Sequence, residues 1–302
     1  MPEPVISIIV CTRDRPEQLL RCVTSIVTAT RRAPDCPAEI VVVENESKPS
    51  LRLRDDDVVG NQRGVRFISL AQGGLAMARN AGMRAATGQY FVFTDDDCTM
   101  EADYIRDLAR HIAERPRNVV IGGRVALANN EDLPFTIKDE PEPQDYDVTI
   151  HPGGFIQGCN FVVPRQVAKI IGEFDPSYGV GAHFLAGEDT DYFIRARIAD
   201  IPLQYFPDMC VLHHHGRRTL ADIRRLNRSY CYANGALYGK YRRQPWLLKH
   251  FYWAIGAAAR ELTGGPAFDA RLGLTWRSVV SANFAGLFAF GLWSLQQGRR
   301  QR

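Results

Sequence analysis

The sequence predicts an α/β fold, with a mostly parallel central sheet flanked by helices and a helical extension at the C-terminus. Three observations lead there. Short, β-branched apolar runs alternate with helix-spaced patterns through about the first 130 residues. Those runs are apolar throughout instead of alternating, as in parallel strands covered on both faces. After Thr219 the pattern is helical to the end, and the charge changes sign.

The elements follow in order. VISIIVC (5–11), EIVVVE (39–44), VRFIS (65–69), QYFVFT (89–94) and NVVIGGRVAL (118–127) read as strands. Between the first two, PEQLLRCVTSIVTA places Leu19, Leu20, Val23, Ile26 and Val27 at helical spacing. LAMARNAGMRAATG and EADYIRDLARHIAE behave likewise, so βαβ units are expected. Ligands of such sheets collect at the carboxyl ends of the strands. Thr12–Arg13, Glu44–Asn45 and Asp95–Asp97 all fall there. Residues 129–154 are acidic and Pro-rich and read as a loop excursion, either a mobile lid or a solvated insertion. FIQGCNFVVP then reads as a strand, EDTDYFIRARIAD as a helix opening on carboxylates, and PLQYFPDMCVLHHH as a strand ending on three histidines.

Charge divides the chain in two. Residues 1–216 carry 22 Lys+Arg and 31 Asp+Glu, net −9, whereas residues 217–302 carry 15 and 3, net +12. The expected units are a catalytic domain at 1–216 and a basic, amphipathic helical region at 217–302. No helix-turn-helix, zinc finger or RNP-like pattern accompanies the basic charge, which argues against nucleic acid. An anionic membrane surface or a phosphorylated lipid acceptor suits it better. Residues 278–297 hold no charge, and their length would permit a bilayer span. Their serines, Asn283, glutamines and glycines favour instead a helical hairpin with 251–264, packed on the domain or lying in the membrane interface. Seven dispersed cysteines without a C-x-x-C pair read as reduced thiols. No basic n-region precedes the first strand, so no signal peptide is expected. Together these features suggest a cytoplasmic protein with peripheral contact at the inner face of the cell membrane.

The stretch FVFTDDDC poses the chemical question. A buried strand runs straight into Asp95, Asp96 and Asp97, and neighbouring carboxylates repel unless a cation joins them. An acidic helix cap is the plainer explanation.

Five ordered segments decide between the two: SIIVCTRDRPEQLLRCVTSI, VVVENES, GGLAMARNAGMRAATGQYFVFTDDD, GCNFVVPRQVAKIIGEFDPSYG and GEDTDYFIRARIADIPLQYFPDMCVLHHH. With these, residues 5–215 resemble the family 2 glycosyltransferases, inverting enzymes of the GT-A fold. The resemblance implies a nucleotide-diphosphate sugar as donor and Mn²⁺ or Mg²⁺ as cofactor. The acceptor would be a hydroxyl on a lipid-linked, polysaccharide or small-molecule substrate. Asp95 would contact the ribose, with Asp96 beside it in the nucleotide site. Asp95 and Asp97 would bind the metal, with a third ligand from the histidine run, His213 before His215. Arg79 would face the nucleotide. Glu188–Asp189 matches the family's acidic pair, with Asp189 as the base that takes the acceptor proton. Thr12 and Arg13 follow the first strand, where backbone groups can meet the nucleotide. Glu44 ends the second strand, where a carboxylate can accept from a base N–H or a ribose hydroxyl. The family usually carries Asp at that position. Cys98 and Cys159 fall near these residues, and no His–Cys arrangement supports a nucleophilic cysteine.

Two rivals stand against this. A sugar nucleotidylyltransferase would carry a Gly-rich phosphate loop after the first strand, and CTRDRPEQ has no glycine. A non-catalytic nucleotide- and metal-binding scaffold would have no need to keep Asp95, Asp97, Asp189 and His213 together. Dinucleotide binding fails for want of G-x-G-x-x-G.

Overall fold

The computed structural model describes residues 5–47, 65–115 and 118–300. Residues 1–4, on which the reading of the N-terminus partly rests, and the side chains of Arg299, Arg300 and Arg302 lie outside that description. The first half runs β1 (Ile6–Thr12), α1 (Pro16–Arg31), β2 (Ala38–Asn45), β3 (Val65–Leu70), α2 (Leu75–Ala85), β4 (Tyr90–Asp95), β5 (Cys98–Met100) and α3 (Tyr104–Glu114). Then come β6 (Val120–Leu127), β7 (Gln144–Asp145), α4 (Pro152–Phe155), β8 (Asn160–Pro164), α5 (Arg165–Ile171), α6 (Glu188–Ile198) and β9 (Leu203–His213). Helices α7 (Leu220–Lys240), α8 (Pro245–Leu262) and α9 (Trp276–Arg300) follow.

The strands form one sheet ordered β3-β2-β1-β4-β8-β6-β9-β5, with β7 on β9. It is parallel from β3 to β4 and mixed beyond, because β8 pairs antiparallel with both β4 and β6. Successive residues of a strand face opposite sides. Ile6, Ile8 and Val10 therefore pack against Leu19 and Val23 of α1 and Leu108 of α3. Ile9 and Cys11 face Ala78 of α2, Val167 of α5 and Phe193 of α6. Both faces are covered, which explains why these strands are apolar throughout.

Two expectations change. FIQGCNFVVP is a strand only from Asn160, since Pro152 opens a single helical turn that ends at Phe155. The excursion at 129–154 is pinned at a few buried points, although most of its residues stay at the surface. Lys138 bridges Val125, β7 pairs with β9, and Asp132 and Lys138 are both buried. Asp132 accepts from the Gly216 N–H and from Arg218 Nε. A buried acid with these partners holds the insertion to the chain leaving β9.

The C-terminal helices pack on the sheet domain. Tyr178, Phe184 and Ile194 share a core with Leu237, Leu247 and Phe251. Asp191, fully buried on α6, accepts from Lys240 Nζ at 2.5 Å, Tyr241 OH at 2.7 Å and Arg195 Nε at 2.9 Å. Glycine makes the α7–α9 crossing possible, since a Cβ at Gly235 or Gly286 would overlap the backbone of the other helix.

Acid should loosen this joint. His151 packs edge-on against His250, 5.4 Å away, and His250 Nε2 lies 3.0 Å from the Val148 carbonyl oxygen. Burial, with His250 adding to it, holds the His151 imidazole down at about 3. An unfolded histidine titrates near 6.5, so below that pH the unfolded chain binds the extra proton and stability falls as pH falls. The slope is about 1.4 kcal/mol per pH unit down to the folded value. The melting temperature of the wild type should fall more steeply than that of His151→Gln between about pH 6.5 and pH 5. Equal slopes would count against this reading.

Candidate functional site

Because β1, β2 and β4 run parallel and in register, their carboxyl ends form one edge. Cys11 stands opposite Asp95 and Thr12 opposite Glu44. The chain turns sharply beyond it, through left-handed backbone at Asp14 (φ 56°) and Glu46 (φ 60°). Non-glycine residues held in that region often mark working loops.

The three aspartates take three directions. Asp95 remains one-third exposed, toward the cleft. Asp96 turns inward, accepting from Thr12 Oγ1 at 2.8 Å and Arg15 Nη1 at 3.0 Å. Asp97 accepts from the same Arg15 nitrogen at 3.1 Å through Oδ2, while its Oδ1 is buried without a hydrogen-bond partner. That Oδ1 lies 3.4 Å from His213 Nε2. The short strand β5 brings the pair together: it sets Cys98 opposite His213, and the His214 N–H donates to the Asp97 carbonyl at 2.7 Å. His215 lies on the same side, its ring 5.1 Å from that of His213, but its Nδ1 turns to Asp132, 3.7 Å away. His213 is thus the histidine at the triplet.

Charge crowding shows in the titration of these groups. Burial pushes the Asp95 carboxyl up to about 6, with Arg79 pulling against it and Asp97 adding to it. Burial opposes the charged forms of Asp97 and His213 as well. Hydrogen bonding and charge from His213, then Arg15, nonetheless bring Asp97 down to about 2. Cys159 and Asp97 lift His213 to about 9. These donors fit a divalent cation. Carboxylate oxygens with one imidazole suit Mn²⁺ or Mg²⁺, and Asp97 Oδ1, buried beside His213 Nε2 at 3.4 Å, makes no close hydrogen bond.

Arg79, expected to face the nucleotide, lies inside the protein with protein partners. It is 3% exposed, and its guanidinium is spent on Glu188 Oε1 at 2.6 Å, the Gly158 carbonyl at 2.8 Å and Asp95 at 3.4 Å. The charge lies 5.7 Å from the Phe174 ring and 5.8 Å from Phe161, in an apolar setting that favours full pairing. Thr12 is likewise buried, its hydroxyl bound to Asp96. Asp96 itself is buried and points into the protein. Arg13, by contrast, is half-exposed at the rim, paired with Glu46 at 3.5 Å. Glu44 is buried and accepts from the Ser69 hydroxyl.

Glu188 and Asp189 open α6, behind Gly187 in left-handed backbone (φ 83°). Glu188 is buried against Arg79, and burial raises it to about 7 despite that partner. Asp189 is half-buried and accepts from the Thr190 N–H at 2.6 Å through Oδ1. Its Oδ2 reaches over Gly158, where any Cβ would overlap it. Asn160 is fully committed, donating to the Arg124 and Met209 carbonyls and accepting from Tyr104.

Sequence reasoning passed over Arg15, whose only signal was a second arginine after the first strand. It also passed over Arg217, which has a buried Nη1 without a hydrogen-bond partner. Arg217 and Arg225 line a cavity of about 420 Å³ together with Gly216, Asp222, Leu226 and Ser229.

Comparisons with known proteins bear on the family and the fold. The family model described as glycosyl transferase family 2 matches residues 7–171. The succinoglycan biosynthesis protein ExoM of Rhizobium meliloti (strain 1021) is 25% identical over 215 residues, covering 68% of this chain and 65% of that protein. The glucosyl-dolichyl phosphate glucuronosyltransferase of Haloferax volcanii is 28% identical over 189 residues, covering 58% of this chain and 57% of its own. The crystal structure of GalNAc-T7 with UDP, GalNAc and Mn²⁺ superposes with a TM-score of 0.55 at 19% identity, over 70% of this chain and 43% of that one. At that identity the shared feature is the fold. The chain spans less than two thirds of the length of the curated relatives it matches.

The Arg79–Glu188 pair makes its own prediction. Arg79→Leu leaves a buried carboxylate unpaired and should lower stability by about 3–5 kcal/mol. Adding Glu188→Leu should restore most of the loss, as read from urea unfolding. A double variant no more stable than the single one would show that the two groups are not coupled.

Proposed function

The chain belongs to glycosyl transferase family 2, and from that premise we propose that it is a metal-assisted inverting glycosyltransferase. It would move one sugar from a nucleoside diphosphate donor to a hydroxyl acceptor. The observation that carries this reading is the approach of His213 Nε2 to the buried Asp97 Oδ1, 3.4 Å apart, just beyond the strand end that carries Asp95. Held by those three residues, Mn²⁺ or Mg²⁺ supplies Lewis-acid neutralisation of charge on the departing diphosphate. UDP is the first nucleotide to test, because the GalNAc-T7 structure of the same fold holds it. Arg13, half-exposed at the rim, would meet the base, ribose or phosphates, whereas Glu44 near the end of β2 is buried on Ser69.

The chain's own residues do the rest. Asp189 takes the proton as the acceptor oxygen forms its bond to the anomeric carbon, and the bond from that carbon to the diphosphate oxygen breaks on the opposite side. Attack from behind inverts the centre. Gly158 leaves the space in which Asp189 Oδ2 sits, and Arg79 ties Asp95 to Glu188, the neighbour of the base. Donor site and base are thereby held at one spacing, as proximity catalysis requires.

The helical region supports a lipid-phosphate acceptor at a membrane surface. Phe284, Phe288, Leu292 and Leu295 form an exposed stripe along α9 at intervals of three and four residues, with Tyr252 and Trp253 exposed on α8. The opposite side of α9, with Val279, Ala282 and Asn283, is buried. A helix with one side packed and the other apolar and exposed, in a region of net charge +12, suits an anionic interface. Arg217, in the cavity between β9 and α7, suits an acceptor phosphate, while Arg225 there pairs with Asp222. The Haloferax relative is named for a dolichyl phosphate substrate. We place the protein at the cytoplasmic face of the cell membrane on this basis.

Two measurements test these readings. With UDP-sugars and Mn²⁺, Asp189→Ala should lower the transfer rate by about 10²–10⁴. Gly158→Ala should lower it by at least about tenfold through displacement of the same carboxylate, while both variants stay folded by circular dichroism. Transfer at the wild-type rate in Asp189→Ala would sink the assignment, and UDP binding without turnover on any acceptor would favour a scaffold. Separately, the protein should sediment with phosphatidylglycerol vesicles at low salt, and Phe288→Ser/Leu295→Ser should weaken binding at least about tenfold. Wild-type protein left in the supernatant would remove the membrane reading.

A further inference from the structure

Close to the acidic triplet lies a cluster of opposite chemical character. Cys98, Cys159 and His213 each bring one ligand atom within 4.8 Å of the other two, and all three are buried. The sheet assembles them: β5 sets Cys98 directly opposite His213 on β9, and Cys159 immediately precedes β8. Residues directly opposite in an antiparallel pair share a face. Two thiols and an imidazole form a soft donor set that favours zinc over magnesium or manganese.

Buried cysteines are often no more than small apolar residues. That account covers Cys98 and Cys159 but leaves His213 unexplained. The ring is 6% exposed, and its Nδ1 is buried with no hydrogen-bond partner, while Nε2 lies 3.4 Å from Asp97 Oδ1. An orphaned nitrogen in a buried ring is costly unless something binds it.

We propose that the chain binds a thiophilic divalent ion, of the zinc class, through Cys98, Cys159 and His213. A tetrahedral zinc site, with Zn–S about 2.3 Å and Zn–N about 2.0–2.1 Å, sets its ligand atoms about 3.5–3.8 Å apart. The cluster therefore needs only a small closure. Two thiolates balance the charge of the ion, so the site can exist beside the aspartates without adding net charge. His213 Nε2–H would then donate to Asp97, the carboxylate–histidine–metal arrangement that fixes a ligating imidazole. The site stands independently of the transferase reading. One consequence does rest on that reading: with the soft site filled, His213 is withdrawn from the hard cation at Asp97, and zinc opposes manganese-dependent transfer.

The test uses the full-length protein, reduced with a phosphine, stripped of metal by a chelator and titrated with Co²⁺. A thiolate-to-cobalt charge-transfer band and tetrahedral visible bands should appear at one equivalent and vanish when Zn²⁺ is added. Cys98→Ala and Cys159→Ala should each abolish the charge-transfer band or shift its midpoint at least about tenfold, whereas Cys36→Ser should keep both band and midpoint. If the two alanine variants do not fold, the wild type and Cys36→Ser decide. A charge-transfer band in both supports the site, because among the described residues no other group brings two thiols and a histidine together. No such band in the wild type, or an unchanged band in a folded Cys98→Ala or Cys159→Ala variant, overturns the proposal. Neither result depends on transfer activity, so failure here leaves the transferase reading untouched.

Discussion

The Arg79 guanidinium is the constraint on which the rest of the cleft depends. It is buried among Phe161 and Phe174 and can remain there only while acceptors surround it. Those acceptors come from three separate pieces of chain: Asp95 at the end of β4, the Gly158 carbonyl before β8, and Glu188 at the start of α6. Removing any one leaves charge or polarity unmatched in an apolar setting. One side chain on α2 thereby fixes the distance between the acidic triplet and the Asp189 carboxylate.

Like charge is the second constraint, and the protein meets it without relying on one partner. Arg15 bridges Asp96 and Asp97, Thr12 satisfies Asp96, and His213 faces Asp97. Asp97 Oδ1 and the far nitrogen of His213, Nδ1, remain buried without a close hydrogen bond. The compensation is uneven: Asp96 and Asp97 share Arg15 and are largely buried, whereas Asp95 stays one-third exposed.

The helical region is joined to this cleft by covalent continuity and by charge. Asp191, two residues after Asp189, anchors Lys240 and Tyr241 from the end of α7, and Asp132 ties the 129–154 insertion to the segment between β9 and α7. A surface that docks on lipid would therefore be coupled through α6 to the residue placed as base. The same helices leave an apolar stripe outward, on the side of α9 opposite its packed face.

Much of the fold was legible in the residues because it depends on local pattern. Continuous apolar runs, helix spacing and the run into Asp95–Asp97 identify the parallel half of the sheet and its working edge. The Asp191–Arg195 brace is local as well, an i,i+4 pair within α6. What could not be read was the facing of side chains within the motif. Thr12, Asp96 and Arg79 turn inward because their partners, Arg15, Glu188 and Gly158, are supplied by pairing and packing over up to 109 residues of chain. The same holds for Cys98, Cys159 and His213, brought together by a three-residue strand too short to leave a periodic signal. Sequence determines which groups reach the sheet edge, since strand ends are local. Only the tertiary structure decides which of them are consumed as partners for one another and which stay open to a ligand, because that depends on burial and on long-range contacts.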